Sequence, residues 1–209
     1  MAKTIRFSKP LVTLLIIVII IAGILIVKTY FAPARLDQQR IALARFKGDA
    51  KAPVKIVEFI DFQCPACAVG AQYLKKLMAE HPNLIRLEMK YYPLTMHKHA
   101  FLSARYAQCA AQQDKFWPFQ DLLIERQAQW QGLIDAKPSF ELIASEIKLN
   151  KSQLENCLKD EKVEAIIFKE KAEGTALGVK STPSYFLNGT MLVGSKSLEL
   201  EIDKYLNGK

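Results

Sequence analysis

Val54-Lys55-Ile56-Val57-Glu58-Phe59-Ile60-Asp61-Phe62-Gln63-Cys64-Pro65-Ala66-Cys67 is the stretch that decides the fold. Residues 54–62 are almost continuously apolar, which predicts a central strand buried on both faces. Residues 65 to about 80 carry a helical pattern, opened by Pro65 and ended by His81-Pro82-Asn83. Cys64 and Cys67 therefore sit at a strand-to-helix junction, three apart, where they can form a small strained disulfide. The first sulfur faces the unpaired N–H groups of the helix start. That field can lower a cysteine pKa from about 8.5 into the range of roughly 3.5–7.5. A stabilised thiolate favours the reduced pair, so the disulfide form becomes an oxidant. Two other readings compete. A structural zinc site needs two further ligands, yet Cys109 and Cys157 are isolated and His81, His97 and His99 lack ligand spacing. Plain burial is the other.

Working outward, residues 84–92 alternate Ile85, Leu87 and Met89 with Arg86, Glu88 and Lys90, a second strand. The β-α-β order implies a parallel pair with a right-handed crossover. Residues 100–113, 116–129, 140–148, 151–158 and 163–177 then show helical periodicity, a helical insert at about 97–177. Strand signals return at 184–188 and 191–193, joined by Asn188-Gly189, a strong hairpin turn. Residues 198–206 close the chain as a helix. The expected class is α/β, with a helical insert between two halves of one sheet.

Residues 11–27 carry no charge and are preceded by Lys3, Arg6 and Lys9. The run exceeds a signal h-region of about 7–15 residues and falls slightly short of the roughly 20 that span a bilayer. Tyr30 and Phe31 extend it to the interface. The expected organisation is a cytoplasmic segment at 1–10, a transmembrane signal-anchor at 11–31, a juxtamembrane linker or helix at 32–47 and a globular domain at 48–209. A signal peptide cut after Ala34 is the alternative, since Ala32-Pro33-Ala34 has small residues at the right spacing.

The net charge of +8 invites a nucleic-acid reading, but its distribution opposes one. Residues 1–47 hold eight Lys/Arg against one acid, and residues 48–209 hold 21 against 20. The globular part is nearly neutral and has no basic stripe. Arg35, Arg40, Arg45 and Lys47 face anionic headgroups on one reading, or water as a basic linker on another. Lysine and arginine counts beside the span, taken alone, put the globular part in the cytoplasm. Cysteine usage puts it outside, and that argument outweighs a small charge difference.

The order βαβ, helical insert, ββα resembles a thioredoxin fold with an inserted helical domain. The chain resembles the DsbA family of thiol:disulfide oxidoreductases, in its membrane-anchored bacterial branch. The resemblance is carried by residues 52–59, by Asp61-Phe62-Gln63-Cys64-Pro65-Ala66-Cys67, by Lys115-Phe116-Trp117, and by Gly178-Val179-Lys180-Ser181-Thr182-Pro183-Ser184-Tyr185-Phe186-Leu187-Asn188-Gly189. It implies Cys64 and Cys67 as the redox pair and Thr182-Pro183 as a cis-proline loop against the sulfurs. Thr182 and Pro183 would pair with an extended substrate peptide. Glu58 matches a buried acid that exchanges protons with Cys67; a solvated edge residue is its alternative. Lys90 is a possible counter-charge for Glu58 or a solvent-facing lysine. His97 opens the insert in related sequences, or is a surface residue at a helix start.

Pro65 and Ala66 complete the motif, and Ala66 departs from the histidine of the best-known oxidases. Alanine cannot donate to the thiolate, so a weaker oxidant is expected. By the same resemblance Cys109 and Cys157 form a structural disulfide, with two buried free thiols as the alternative. The implied activity is extracytoplasmic and introduces disulfides into secreted or envelope proteins. No cofactor, metal or nucleic acid is expected. The partners implied by the resemblance are reduced client proteins and a quinone-linked membrane protein that restores the disulfide. The alternatives are a membrane-tethered reductase or isomerase, and a non-catalytic thioredoxin-like binding or chaperone module.

Overall fold

A strand that is apolar on both faces has to lie inside a sheet covered on both sides. In the computed structural model, which describes residues 9–26, 41 and 43–208, the run after Ala52-Pro53 does so. The strands β1 (Phe46–Lys47), β2 (Val54–Ile60), β3 (Ile85–Tyr91), β4 (Ser184–Leu187) and β5 (Thr190–Val193) form one sheet in the order β1-β3-β2-β4-β5. β2 and β3 are parallel, and the other pairings are antiparallel. Helix α1 (Lys9–Ile26) precedes the sheet, and α2 (Pro65–Glu80) makes the β2–β3 crossover. Between β3 and β4 lie α3 (Ala100–Gln112), α4 (Phe116–Glu125), α5 (Gln127–Trp130), α6 (Lys137–Glu146), α7 (Lys151–Cys157) and α8 (Glu161–Ala176). Helix α9 (Ser195–Asn207) closes the chain. This is a thioredoxin-like α/β fold with a helical insert.

The two sheet faces bury different partners. Val54, Ile56, Ile85, Leu87, Tyr185 and Leu187 pack on Leu74 and Leu77 of α2 and on Leu198 and Ile202 of α9. Phe59, with Val57 and Phe186, packs on the other face against Tyr92 and Val179. Helix α8 approaches that face closely at Gly174, where a Cβ would fall 2.8 Å from the Phe59 ring. In the insert, Cys109 of α3 and Cys157 of α7 are disulfide-bonded, with S–S 2.03 Å. That pairing takes up the two thiols a zinc site would have drawn on.

The chain divides into two units, Met1–Ile41 and Ala42–Lys209. In the first, α1 exposes Leu14 through Ile21 and Ile24 through Ile26. Among the described residues, no helix is long and apolar enough to cross a membrane. Of the expected span at 11–31, residues 27–31 lie outside the described residues, as do residues 32–40 and 42 of the expected linker at 32–47, Arg35 and Arg40 among them.

The end of that expected linker is built into the second unit. Phe46 and Lys47 pair with Glu88 and Leu87 of β3, and Trp117 Nε1 donates to Phe46 O at 3.1 Å. Arg45 does not face headgroups. It is 7% exposed and forms a two-pronged ion pair with Glu170 of α8. Glu170 also accepts from Tyr91 N at 2.8 Å. A two-residue edge strand has no sequence period, and that is why residues 46–47 read as the end of a helix.

Candidate active site

β2 ends at Ile60, and the chain turns through Asp61, Phe62 and Gln63 into α2. Asp61 builds that turn. Its Oδ1 accepts from Gln63 N at 2.8 Å, and its Oδ2 accepts from Leu94 N at 2.9 Å and meets His97 Nδ1 at 2.7 Å. Its carbonyl accepts from Cys64 N at 3.0 Å. The insert closes over the same turn. Gln127 of α5 donates to Phe62 O and Cys64 O at 2.8 and 3.0 Å. Gln63 bridges His99 N and Gln131 O. The junction that carries the cysteines is thus tied to both halves of the unit.

Cys64 is the N-cap residue of α2, with extended backbone (φ −74°, ψ 121°), and Pro65 follows at the first helical position. An N-cap side chain normally accepts from N–H groups of the first turn. Here a sulfur holds that place. Both cysteines are free thiols. Cys64 is pulled down to about 5, first by the Cys67 thiol beside it, against burial, and then by Thr182 and the backbone N–H groups of Cys67 and Ala66. The Cys64 thiol lies 3.3 Å from Thr182 O. That carbonyl accepts only from the neutral thiol, whereas Thr182 Oγ1, buried with no partner among the described residues, can donate to the thiolate. Cys67, one turn on and fully buried, is driven well above its ordinary value by burial, then by Cys64 and Glu58.

The loop opposite is Thr182-Pro183, joined by a cis peptide bond. Glu58 lies under the pair and is completely buried, so it is not a solvated edge residue. Burial pushes its carboxyl up from 4.5 to about 8, partly offset by Tyr185. Among the described residues Glu58 Oε1, Glu58 Oε2 and Tyr185 Oη have no hydrogen-bond partner, although the phenol lies near enough to draw the acid back down. Burial is the firmer of the two effects, because it holds whichever way the phenol turns.

Lys90 is not the counter-charge of Glu58. It sits on the other face of β3 and pairs with Glu173 and Glu88, while Met89 is the β3 residue in register with Glu58. His97 is drawn inward to Asp61 rather than standing free at a helix start. Sequence reasoning missed Gln127 and Tyr185 as neighbours of the site. Gln127 carries no local signal, but Tyr185 does: it is a phenol in a strand whose register puts it opposite an acid. Among the described residues, no group of three or more His, Cys, Asp or Glu side chains is arranged to hold a metal ion.

A sequence model described as thioredoxin matches residues 43–207. The chain belongs to the thioredoxin family. The chain is 27% identical to a probable disulfide bond formation protein D of Bacillus anthracis, covering 76% of each. Among solved structures it resembles Pseudomonas aeruginosa DsbA2, with a TM-score of 0.62 and 27% identity over 78% of this chain and 93% of that one. It is also 31% identical to Na(+)/H(+) antiporter NhaA 1 of Salinispora arenicola, over 73% of this chain. It spans 23% of the length of that antiporter and of the other first curated relatives it matches. Within the thioredoxin family the chain is similar to DsbA-type thiol:disulfide oxidoreductases.

Proposed function

We propose that the chain introduces disulfide bonds into secreted or envelope proteins through Cys64 and Cys67, working outside the cytoplasm from a membrane anchor at about residues 11–31. The observation that carries the reading is the split between the two thiols. Cys64 is pulled down to about 5 while burial drives Cys67 up, one helical turn apart. A dithiol with one well-stabilised thiolate is reluctant to be oxidised, so its disulfide is a good oxidant.

The reaction runs in two exchanges. A client thiolate attacks Cys64 Sγ, the Cys64–Cys67 bond breaks, and its electron pair goes to Cys67, which takes a proton from Glu58. A second client thiolate then attacks the client sulfur of the mixed disulfide. The client disulfide forms and Cys64 leaves as its stabilised thiolate. Thr182 and Pro183 hold the client segment in extended form beside Cys64. Reoxidation of the dithiol falls to a membrane partner that accepts two electrons.

The test is the reduction potential of the Cys64–Cys67 pair, by equilibration of the protein with glutathione. A value near or above about −180 mV supports the oxidase. A value near about −270 mV, as in thioredoxin, overturns it in favour of a reductase.

A further inference from the structure

Glu58 and Tyr185 are direct partners across the antiparallel β2–β4 ladder, and both are fully buried. Directly opposite residues in such a ladder put their side chains on the same face. That face is covered by α2, and there the phenol meets Gly70, one turn beyond Cys67. A Cβ on Gly70 would lie 2.1 Å from Tyr185 Oη, so the helix gives up a side chain where the hydroxyl comes to rest. Two carboxyl oxygens and one phenol oxygen, otherwise unpartnered among the described residues, therefore share one buried space beneath the cysteines. Polar groups left in that state cost free energy unless they satisfy one another.

The charges around Glu58 leave the phenol as its partner. β4 offers Tyr185, and α2 offers Cys67 and Cys64. β3 presents uncharged Met89, and Lys90 is engaged on the far face. A cavity of about 20 Å³ touches Glu58 and is lined by Gln120, with Lys47, Lys75 and Asp121 among its other walls. That volume has room for one water.

We propose that Tyr185 is a positioning residue for proton transfer at Cys67, its phenol donating a hydrogen bond to the Glu58 carboxylate. The inference rests on the oxidoreductase reading and deepens it. The step concerned is closure of the disulfide from a mixed disulfide with glutathione. Glu58 takes the Cys67 proton, and Cys67 sulfur attacks Cys64 Sγ. The Cys64–Cys67 bond forms, and glutathione leaves as a thiolate that water protonates. The two electrons pass to glutathione. The phenol stabilises the charged acid, so without it Glu58 accepts the proton only at higher pH.

Full-length reduced protein is mixed with oxidised glutathione from about pH 5 to about pH 9, a range that brackets carboxyl and thiol. Acid quenching, alkylation and intact mass then separate the reduced, mixed-disulfide and closed forms. Tyr185→Phe is expected to move the rate profile for closure up by about 1–2 pH units, the worth of one hydrogen bond to a charged group. In a Glu58→Gln background the same change is expected to move nothing. A Tyr185→Phe profile that overlays the wild type, or an equal shift with Glu58 replaced, overturns the role of Tyr185 and leaves the oxidoreductase reading standing. Failure of the unsubstituted protein to form any glutathione adduct overturns both.

Discussion

Replacing Glu58 with Gln should flatten the pH dependence of folding stability, and the structure sets the size of the effect. The Glu58 carboxyl is buried and raised from 4.5 to about 8. Below about pH 4.5 it is protonated in both folded and unfolded chains and costs nothing. Between the two values the folded protein keeps a proton that the unfolded chain has released, so stability falls as pH rises, by about 1.4 kcal/mol per pH unit. Above about pH 8 the penalty is complete, about 5 kcal/mol over the whole interval. At pH 7 it is about 3 kcal/mol. The measurement is urea unfolding of the Cys64–Cys67 oxidised form at several pH values. Oxidation matters, because reduced Cys64, with its pKa lowered to about 5, contributes with the opposite sign: it adds stability as pH rises from there towards the ordinary thiol value. Glu58→Gln should gain on the wild type steadily from about pH 5 to about pH 8. A variant-minus-wild-type difference that stays constant over that range would refute a buried, raised carboxyl.

Gly70→Ala should destabilise the wild type by about 1–3 kcal/mol through overpacking against the phenol. In Tyr185→Phe, where the nearest remaining ring atom is 3.4 Å away, it should be neutral or stabilising by up to about 1 kcal/mol; additive unfolding midpoints would reject the contact. Arg45→Met leaves Glu170 buried and unpaired and should cost about 3–5 kcal/mol, while Arg45→Met with Glu170→Leu recovers most of it. Equal instability of single and double variants in denaturant would contradict that. Ala66→His should make the disulfide more oxidising by adding a donor beside the Cys64 thiolate, and an unchanged or lower potential would count against it. Because Cys64 stays ionised above about pH 5, the potential should fall by about 30 mV per pH unit near neutrality, one proton for two electrons. A slope of about 59 mV per pH unit would mean that both thiols bind protons there.

The sequence carried the sheet well because its signals are strong where burial is one-sided or complete. The run at 54–60 is apolar on both faces, 85–91 alternates, and Asn188-Gly189 sits at the β4–β5 turn with both residues at positive φ. It carried less where structure depends on distant contacts. The short strand Phe46–Lys47 exists because β3 has a free edge, and the Arg45–Glu170 pair joins residues 125 positions apart. Helix ends moved by a few residues for local reasons. Pro138 lets α6 start at Lys137, earlier than the apolar pattern at Phe140, and the predicted helix over 116–129 breaks at Arg126 into α4 and α5. That break is what aims Gln127 at Phe62 O and Cys64 O, a contact no spacing rule contains. Glu58 was visible as an acid in an apolar strand. Its environment was not, since Met89 rather than Lys90 faces it and the phenol comes from the far half of the chain.

Cys64, Cys67 and Glu58 are buried neighbours that can each carry negative charge, and the chemistry of the site follows from how few of those charges it tolerates. Cys64 stands at the mouth, where the α2 N–H groups and Thr182 Oγ1 can meet a thiolate. Cys67 and Glu58 lie inside, where burial opposes ionisation and Glu58 raises Cys67 further. Near neutral pH the reduced site therefore settles with Cys64 ionised and the two inner groups protonated. Electrons arriving at the disulfide leave their charge on the outer sulfur, and the inner sulfur must find a proton from within. In the proposed reaction Glu58 supplies it, and a carboxyl raised to about 8 returns to the protonated form at neutral pH. Sequence spacing alone produces the outer half of this arrangement, through the helix start. The inner half needs the β2–β4 register and the missing side chain at Gly70, so under the proposed mechanism the rate of exchange depends on residues well outside the Cys-Pro-Ala-Cys motif.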